Sequence, residues 1–356
     1  MNKTNKDKKI LYFYPVRMSF VARDIEMMKK RYPLSEYHLD TKKKWKIPLN
    51  LLNQFIFLLK NIKSVKILIC FFAGYHSLLP ALFGRIFRKP VLIFIGGSDA
   101  YRYPAFNYGH FNKFFIGKFT CLSARLVDLL IPVDDCLMFS ESDYYDQKYA
   151  RQGIRFFCRN LETPSQTIRL EYDPDLFYRK SERNERNTFI TAGFGIEGPS
   201  FVRKGIDLII EVAGLLPECE FTILGCSSEV IKVPFTDNVK FIPPVPYDKL
   251  PEIYSRHRFY LQLSIAEGFP SAICEAMLCE CVPIGSNVAA IPYIIGNTGF
   301  ILEKRDVNLL RNLLLNVVNN DELPALGALA RQRIMENFYP GSRSRQLYEI
   351  LDQFYA

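Results

Sequence analysis

Two carboxylates, Glu267 and Glu275, stand eight positions apart in the stretch AEGFPSAICEAMLCECVPIGS (266–286). Glu267 adjoins a turn, Gly268-Phe269-Pro270-Ser271, and Glu275 lies inside the short helix that this turn opens. Pro and Ser are favoured residue types at a helix start. The unpaired amides and positive dipole end of such a start suit a phosphate. Two chemistries fit the pair. One is acid/base hydrolysis, which needs two carboxylates about 5–9 Å apart across one bond. The other is a pair of grips on one ligand whose phosphate lies between them. The hydrolytic reading leaves the phosphate-type turn unexplained.

A second motif competes. GFGIEG (193–198) follows a strand and has the glycine spacing of a dinucleotide loop. A nicotinamide oxidoreductase is thus the alternative of another class. It needs a helix directly after the glycines and an acid at the tip of the next strand to hold a ribose. Pro199 and a further loop are expected after the glycines, and the next strand ends in Leu224-Gly225. The glycines, Gly195 among them, then serve close approach of the backbone to a ligand.

These residues must be positioned by a scaffold. At 356 residues the chain is long enough for two domains with their own cores. Apolar runs at 9–15, 65–72, 90–97 and 128–133 alternate with helical patterns at 20–31, 77–87 and 110–126. Strands that are apolar throughout and separated by helices imply a parallel sheet covered on both faces. The charged stretch 178–187 reads as a linker, and the pattern then restarts. Strands are expected at 188–193, 219–225, 259–264 and 281–285, and helices at 204–216, 247–257, 271–279 and 305–320. The fold class is α/β, with two doubly wound, Rossmann-like domains facing a cleft. Residues 1–180 form the first domain and residues 181–339 the second. A terminal helix (340–356) crosses back to the first.

Composition narrows the partners. Residues 1–60 hold 14 Lys or Arg against 5 Asp or Glu, an excess equal to the whole-chain net charge of +9. Segment 41–60 combines a lysine cluster, Trp45 and an apolar stripe. It fits either a patch attracted to anionic lipid or a surface helix behind a solvated basic loop. No aromatic–basic interleaving supports nucleic acid. No secretory signal is read at the start, because the apolar run there is short and cut by Pro15 and Arg17. The uncharged stretch 67–84 is long enough to raise a membrane span, but Gly74, His76, Ser77 and Pro80 split it into strand and helix. The nine cysteines form no CxxC pair and read as reduced thiols of a cytoplasmic protein.

The motif EGFPSAICEAM resembles the E-x7-E signature of the retaining, GT-B-fold glycosyltransferases of family 4 (glycosyl transferases group 1). VRKGIDLIIEV (202–212) and CVPIGSNVAAIPYII (281–295) resemble flanking segments of the family's second domain. FFAGYHSLLPAL (71–82) and IGGSDAYRYP (95–104) are similar to first-domain segments. The resemblance implies a nucleotide-sugar donor, UDP- or GDP-linked. Its acceptor would be a hydroxyl on a surface glycan or lipid-linked glycan, and the enzyme would lie in the cytoplasm or peripherally on the membrane. Glu275, about 6 Å into the helix, would then hold the ribose diol, and Glu267 the sugar. Lys204, before Gly205, would neutralise the leaving diphosphate. Pro199 stands where the family usually has an arginine, and Arg203 either substitutes or lies at the surface. Gly268, Phe269, Pro270 and Ser271 complete the donor site.

In the first domain, Gly96 stands where many relatives carry a histidine. Asp99 either contacts the sugar or acceptor or caps a turn. His76 either faces the cleft or is structural. Ser19, Phe20 and His110, with Tyr108, are acceptor-side expectations. No cofactor and no metal are implied, and DPD (173–175) is not read as a metal motif. A catalytically weak nucleotide-sugar-binding protein is the remaining alternative, because of Gly96.

Overall fold

The apolar runs around residues 70 and 93 become neighbouring interior strands of one parallel sheet. In the computed structural model, residues 8–41, 43–182, 187–193, 195–196, 198–320 and 322–355 are described. Lys42 of the basic segment, residues 183–186 of the expected linker, and Phe194 and Glu197 of the glycine loop lie outside them. The first sheet contains β1 (Lys9–Tyr14), β2 (Leu34–His38), β3 (Val65–Phe71), β4 (Val91–Ile95) and β5 (Leu129–Pro132). Its order is β2-β1-β3-β4-β5, parallel throughout. Helices Ile47–Asn61, Tyr75–Phe87 and Phe114–Leu126 pack side by side as one layer. Right-handed crossovers put them on one face. Ser19–Lys29 covers the other face together with the terminal helix Ser342–Tyr355.

The second sheet contains β6 (Thr188–Ala192), β7 (Glu220–Leu224), β8 (Val239–Ile242), β9 (Phe259–Gln262), β10 (Val282–Ser286) and β11 (Phe300–Leu302). Its order is β8-β7-β6-β9-β10-β11, again parallel. The order in which strands are added reverses between β6 and β9. A doubly wound sheet places its ligand crevice outside the carboxyl ends at such a switch.

The terminal helix belongs physically to the first domain. Arg343, almost fully buried, grips Asp24 with two bonds, Nε to Oδ1 at 2.7 Å and Nη2 to Oδ2 at 2.6 Å. Its Nη1 donates to the Ile168 carbonyl at 2.7 Å. Tyr348 donates to the Met27 carbonyl and Tyr32 to Asp352. Where the chain passes between domains, the Tyr172 amide donates to the Phe338 carbonyl at 3.0 Å, and the Arg343 amide to Glu171 at 2.9 Å. Elsewhere the domains meet through Ser142, which donates to the Asn287 carbonyl, and through a Lys304–Asp143 ion pair.

Three sequence expectations need correction. Cys121 and Cys158 form a disulfide, with Cα atoms 5.2 Å apart, so the reduced reading fails for that pair. The helix Phe114–Leu126 and the end of the short helix Ile154–Phe157 lie side by side, a tertiary contact that a separation of 37 residues does not signal. The other seven cysteines are free. A one-turn helix, Pro199–Arg203, does follow the glycine loop, because Pro199 at its first position carries a preset φ. The next helix then begins at Ile206 rather than 204. The stretch 67–84 divides into β3 and the helix Tyr75–Phe87. Among the described residues no helix is long and apolar enough to cross a membrane.

Candidate functional site

β9 ends at Gln262, and the chain from Leu263 to Pro270 stays buried as it leaves the sheet. Glu267 sits in this segment at 9% exposure. Three donors converge on its Oε1: Lys204 Nζ at 2.5 Å, Ser264 Oγ at 2.8 Å and Gln262 Nε2 at 3.3 Å. Burial pushes the carboxyl pKa up. The charges of Lys204 and Arg203 and the bonds from Lys204 and Ser264 outweigh it, and the pKa falls below the ordinary value. Glu267 is therefore ionised at neutral pH.

Lys204 reaches Glu267 from the elbow between helices Pro199–Arg203 and Ile206–Gly214. Gly205 makes that elbow possible. Its φ is +75°, and a Cβ there would lie 2.3 Å from the Leu263 carbonyl oxygen. The elbow is thus seated on the exit of β9, where the Ile265 amide donates to the Arg203 carbonyl at 2.8 Å. Arg203 Nη1 donates to the Ala266 carbonyl at 3.1 Å, and its guanidinium lies 4.5 Å from the centre of the Tyr108 ring. Arg203 thereby joins the segment leaving β9 to the first domain.

The two domains touch at this point. The Tyr101 hydroxyl donates to the Glu267 carbonyl at 2.6 Å. A Cβ on Gly268 would stand 2.3 Å from the Gly96 carbonyl oxygen, so only glycine allows this approach. The helix Ser271–Leu278 follows, with no side-chain cap at Pro270. Its first-turn amides are left for another acceptor. The Ser271 hydroxyl accepts from Tyr172 at 3.1 Å, and the Phe269 ring packs between Tyr172 and Phe338. One turn on, Glu275 is 6% exposed and accepts from Tyr247 at 2.8 Å. Burial lifts its pKa to about 7, against the Tyr247 bond and the charge of Arg23 on the first-domain helix.

The first-domain residues are placed differently from those around Glu267. Asp99 is fully buried and accepts backbone amides from Ala73 (3.0 Å), Gly96 (3.2 Å) and Gly97 (2.9 Å). Burial raises its pKa to about 6 in spite of those amides. It anchors the ends of two loops. His76 is buried and its Nε2–H donates to the Phe71 carbonyl at 2.7 Å, while burial lowers its pKa to about 4. His110 Nδ1 lies 3.2 Å from Thr120 Oγ1, and burial lowers its pKa to about 3. Both imidazoles are neutral and tied to protein. Phe20 packs on the Phe71 ring, 5.1 Å between centres, and Ser19 is exposed at its helix start. Gly195 is exposed with φ +63°. At Gly96 a Cβ would fall 2.5 Å from Phe72 Cε1, so a larger side chain has no room.

Lys204, Arg203, Glu267 and Gly268 are therefore brought together, with Ser271 and Glu275 on the adjoining helix. Gln262, Ser264, Tyr101, Tyr172 and Tyr247 were missed. Gln262 and Ser264 alternate along the strand exit toward Glu267, a period that could have revealed them. The tyrosines lie 28 to 166 positions from their partners and carry no motif.

Residues 199–332 match the family described as Glycosyl transferases group 1. Among curated proteins, the chain is 30% identical over 83 residues to O-antigen chain mannosyltransferase B of Escherichia coli, covering 23% of this chain and 22% of that protein. It is 22% identical over 173 residues to an uncharacterized glycosyltransferase of Methanocaldococcus jannaschii, 46% of each chain. The match to the first of these spans less than a quarter of its length. In overall structure the chain is similar to sucrose-phosphate synthase from Thermosynechococcus elongatus, with TM-score 0.72 and 13% identity over 98% of this chain and 99% of that one. It is also similar to Anabaena HepE in complex with UDP, with TM-score 0.69 and 13% identity over 97% and 100%. The fold is GT-B, and its second half carries a glycosyl transferases group 1 domain.

Proposed function

We propose that the protein is a retaining glycosyltransferase of family 4, moving a sugar from a UDP- or GDP-sugar to a hydroxyl of a surface glycan or lipid-linked glycan. The observation that carries this reading is the buried Lys204–Glu267 pair beside an uncapped helix start, with Glu275 one turn beyond. The donor diphosphate would lie on the first-turn amides at Ser271, with Lys204 and Arg203 as counter-charges. Glu275 would accept from the ribose hydroxyls. Glu267 has Oε1 saturated by protein donors, and its other oxygen would accept from the sugar. The C1–phosphate bond breaks, and a C1–O bond to the acceptor forms on the same face. The acceptor's proton passes to the departing phosphate oxygen. Lys204 and the helix start meet the leaving charge, so no metal or other cofactor is assigned a step. Asp99, His76 and His110 position the first-domain loops rather than touch substrate. A cytoplasmic protein held against the membrane through segment 41–60 fits such an acceptor.

Thermal shift across UDP, GDP, ADP and NAD tests the nucleotide. A ligand at about 100 times its dissociation constant adds about 2.7 kcal/mol. Stabilisation by NAD alone would sink the reading. Transfer from sugar donors, followed by the anomeric signal of the product, tests the chemistry, and an inverted product overturns retention. Tight UDP binding without transfer or donor hydrolysis favours a nucleotide-sugar-binding protein, the reading to which the crowded Gly96 position lends support.

A further inference from the structure

The first domain is strongly asymmetric in charge. Between Thr41 and Val127 there are fourteen Lys or Arg and a single acid, Asp99. That acid is fully buried, so none of it reaches the surface. The next acid, Asp128, lies at the surface past the end of the third helix, where it accepts from the Val91 amide. This stretch supplies all three helices of one layer, Ile47–Asn61, Tyr75–Phe87 and Phe114–Leu126, and none of the three carries an acid. The same layer leaves large apolar side chains in the open. Trp45 is 75% exposed, Phe114 72% and Phe115 68%, and Leu49, Leu52 and Ile86 are exposed as well. Water-facing helices do not otherwise combine bulky aromatics with cations and exclude acids.

The layer also holds a pocket. Between helix Phe114–Leu126 and residues 157–159 lies a surface cavity of about 560 Å³. The stacked rings of Phe111 and Phe157, 4.3 Å apart, line it, and Lys113, Lys118, Arg125 and Arg159 surround it. No acid lines it. The Cys121–Cys158 disulfide ties its two walls together.

We infer that the whole outer face of this three-helix layer, and not segment 41–60 alone, docks on an anionic phospholipid bilayer, with the pocket beside Phe114 receiving a lipid phosphate. Charge complementarity selects the occupant, because helices that carry cations and no acids fit an anionic leaflet and not a basic one. The exposed aromatics supply insertion into the interface, and the cations flank them. Helices of a parallel α/β layer start at the carboxyl edge of the strands. Trp45 and Phe114–Phe115 therefore border the cleft, and docking would present that cleft to an acceptor emerging from the membrane. The inference extends the membrane part of the proposed function and rests on it, but does not depend on sugar transfer.

Co-sedimentation of the full chain with phosphatidylcholine vesicles, with and without phosphatidylglycerol, tests it. Wild type is expected to bind only the anionic vesicles and to release them in high salt. Each cation near such a surface is worth about fivefold in binding, so Lys113→Gln, Lys118→Gln and Arg125→Gln together should lower it about 100-fold. Phe114→Ser with Phe115→Ser should weaken it at unchanged charge. Both variants should keep the wild-type melting temperature and its shift with UDP, which separates loss of docking from failure of the sugar-transfer reading. Equal binding to both vesicle types overturns the inference. So does wild-type binding by the triple variant with loss confined to Trp45→Ser and Lys46→Gln.

Discussion

Replacing Glu275 with Gln should stabilise the protein while impairing it. Burial displaces the Glu275 pKa from 4.5 to about 7. At about 1.4 kcal/mol for each tenfold change in proton affinity, keeping this carboxylate ionised costs the fold about 3 kcal/mol. The sign follows from which state holds the proton. Near pH 4 both folded and unfolded chains are protonated there, and the site contributes nothing. Between about pH 4.5 and 7 the unfolded chain gives up the proton and the folded chain keeps it, so stability falls as pH rises. Above about pH 7 the full penalty applies. Glutamine keeps an oxygen for the Tyr247 hydroxyl and never ionises. Urea unfolding should therefore show wild type and Glu275→Gln nearly equal close to pH 4.5, diverging to about 3 kcal/mol in favour of the variant near pH 8. In the same samples UDP affinity near pH 8 should fall by about 2–3 kcal/mol, the worth of bonds to a charged acceptor. Wild-type affinity should itself fall about fivefold from pH 7 to 6, as the ionised fraction of Glu275 drops from about one half to about one tenth. A stability difference that does not change with pH, or a variant less stable than wild type at pH 8, would refute the assignment of burial as the dominant influence on this acid.

Lys204→Met leaves the Glu267 carboxylate buried without its counter-ion and should cost about 3–5 kcal/mol in urea unfolding. Adding Glu267→Gln should recover most of that loss, and no recovery would mean the two are not coupled. Gly268→Ala places a methyl against the Gly96 carbonyl. It should lower kcat/KM at least about tenfold with little change in UDP affinity, and small-angle scattering should show a wider particle; an unchanged kcat/KM would deny that closure matters. Thiol titration of the denatured, unreduced chain should count seven thiols, and nine after reduction. Nine before reduction would remove the Cys121–Cys158 bond.

The interior of both sheets is legible in the sequence because β3, β4 and β9 are covered on both faces and read as runs that are apolar nearly throughout. Within the two parallel sheets the strands not anticipated are β2 (LSEYH), β8 (VKFI) and β11 (FIL), which all lie at sheet edges. An edge strand is short and partly wet, so its apolar run is diluted, as Glu36 and Lys240 show. The segment from Glu267 to Glu275 is legible for a different reason. Glu267, the turn and Glu275 are contiguous, so spacing along one helix carries their relation. The Lys204–Glu267 contact spans 63 positions, and the Tyr101–Glu267 contact 166. No local period encodes these, and resemblance, not spacing, singled out Lys204. Asp99 and the histidines were visible as chemically able residues. Their inward orientation depends on which backbone amides and carbonyls the folded loops bring to them.

The chain passes between the domains twice, and the two passages are bonded to each other through Tyr172 and Phe338. Two adjacent tethers remove most twisting and sliding, and leave chiefly a hinge-like swing about the line through both. Tyr172 also holds Ser271, so the start of helix Ser271–Leu278 sits beside the axis. Opening would then displace that helix start, the proposed seat of the diphosphate, little and sweep the first-domain loops farther. The Ser142–Asn287 and Asp143–Lys304 contacts would act as the catch that such a swing must release.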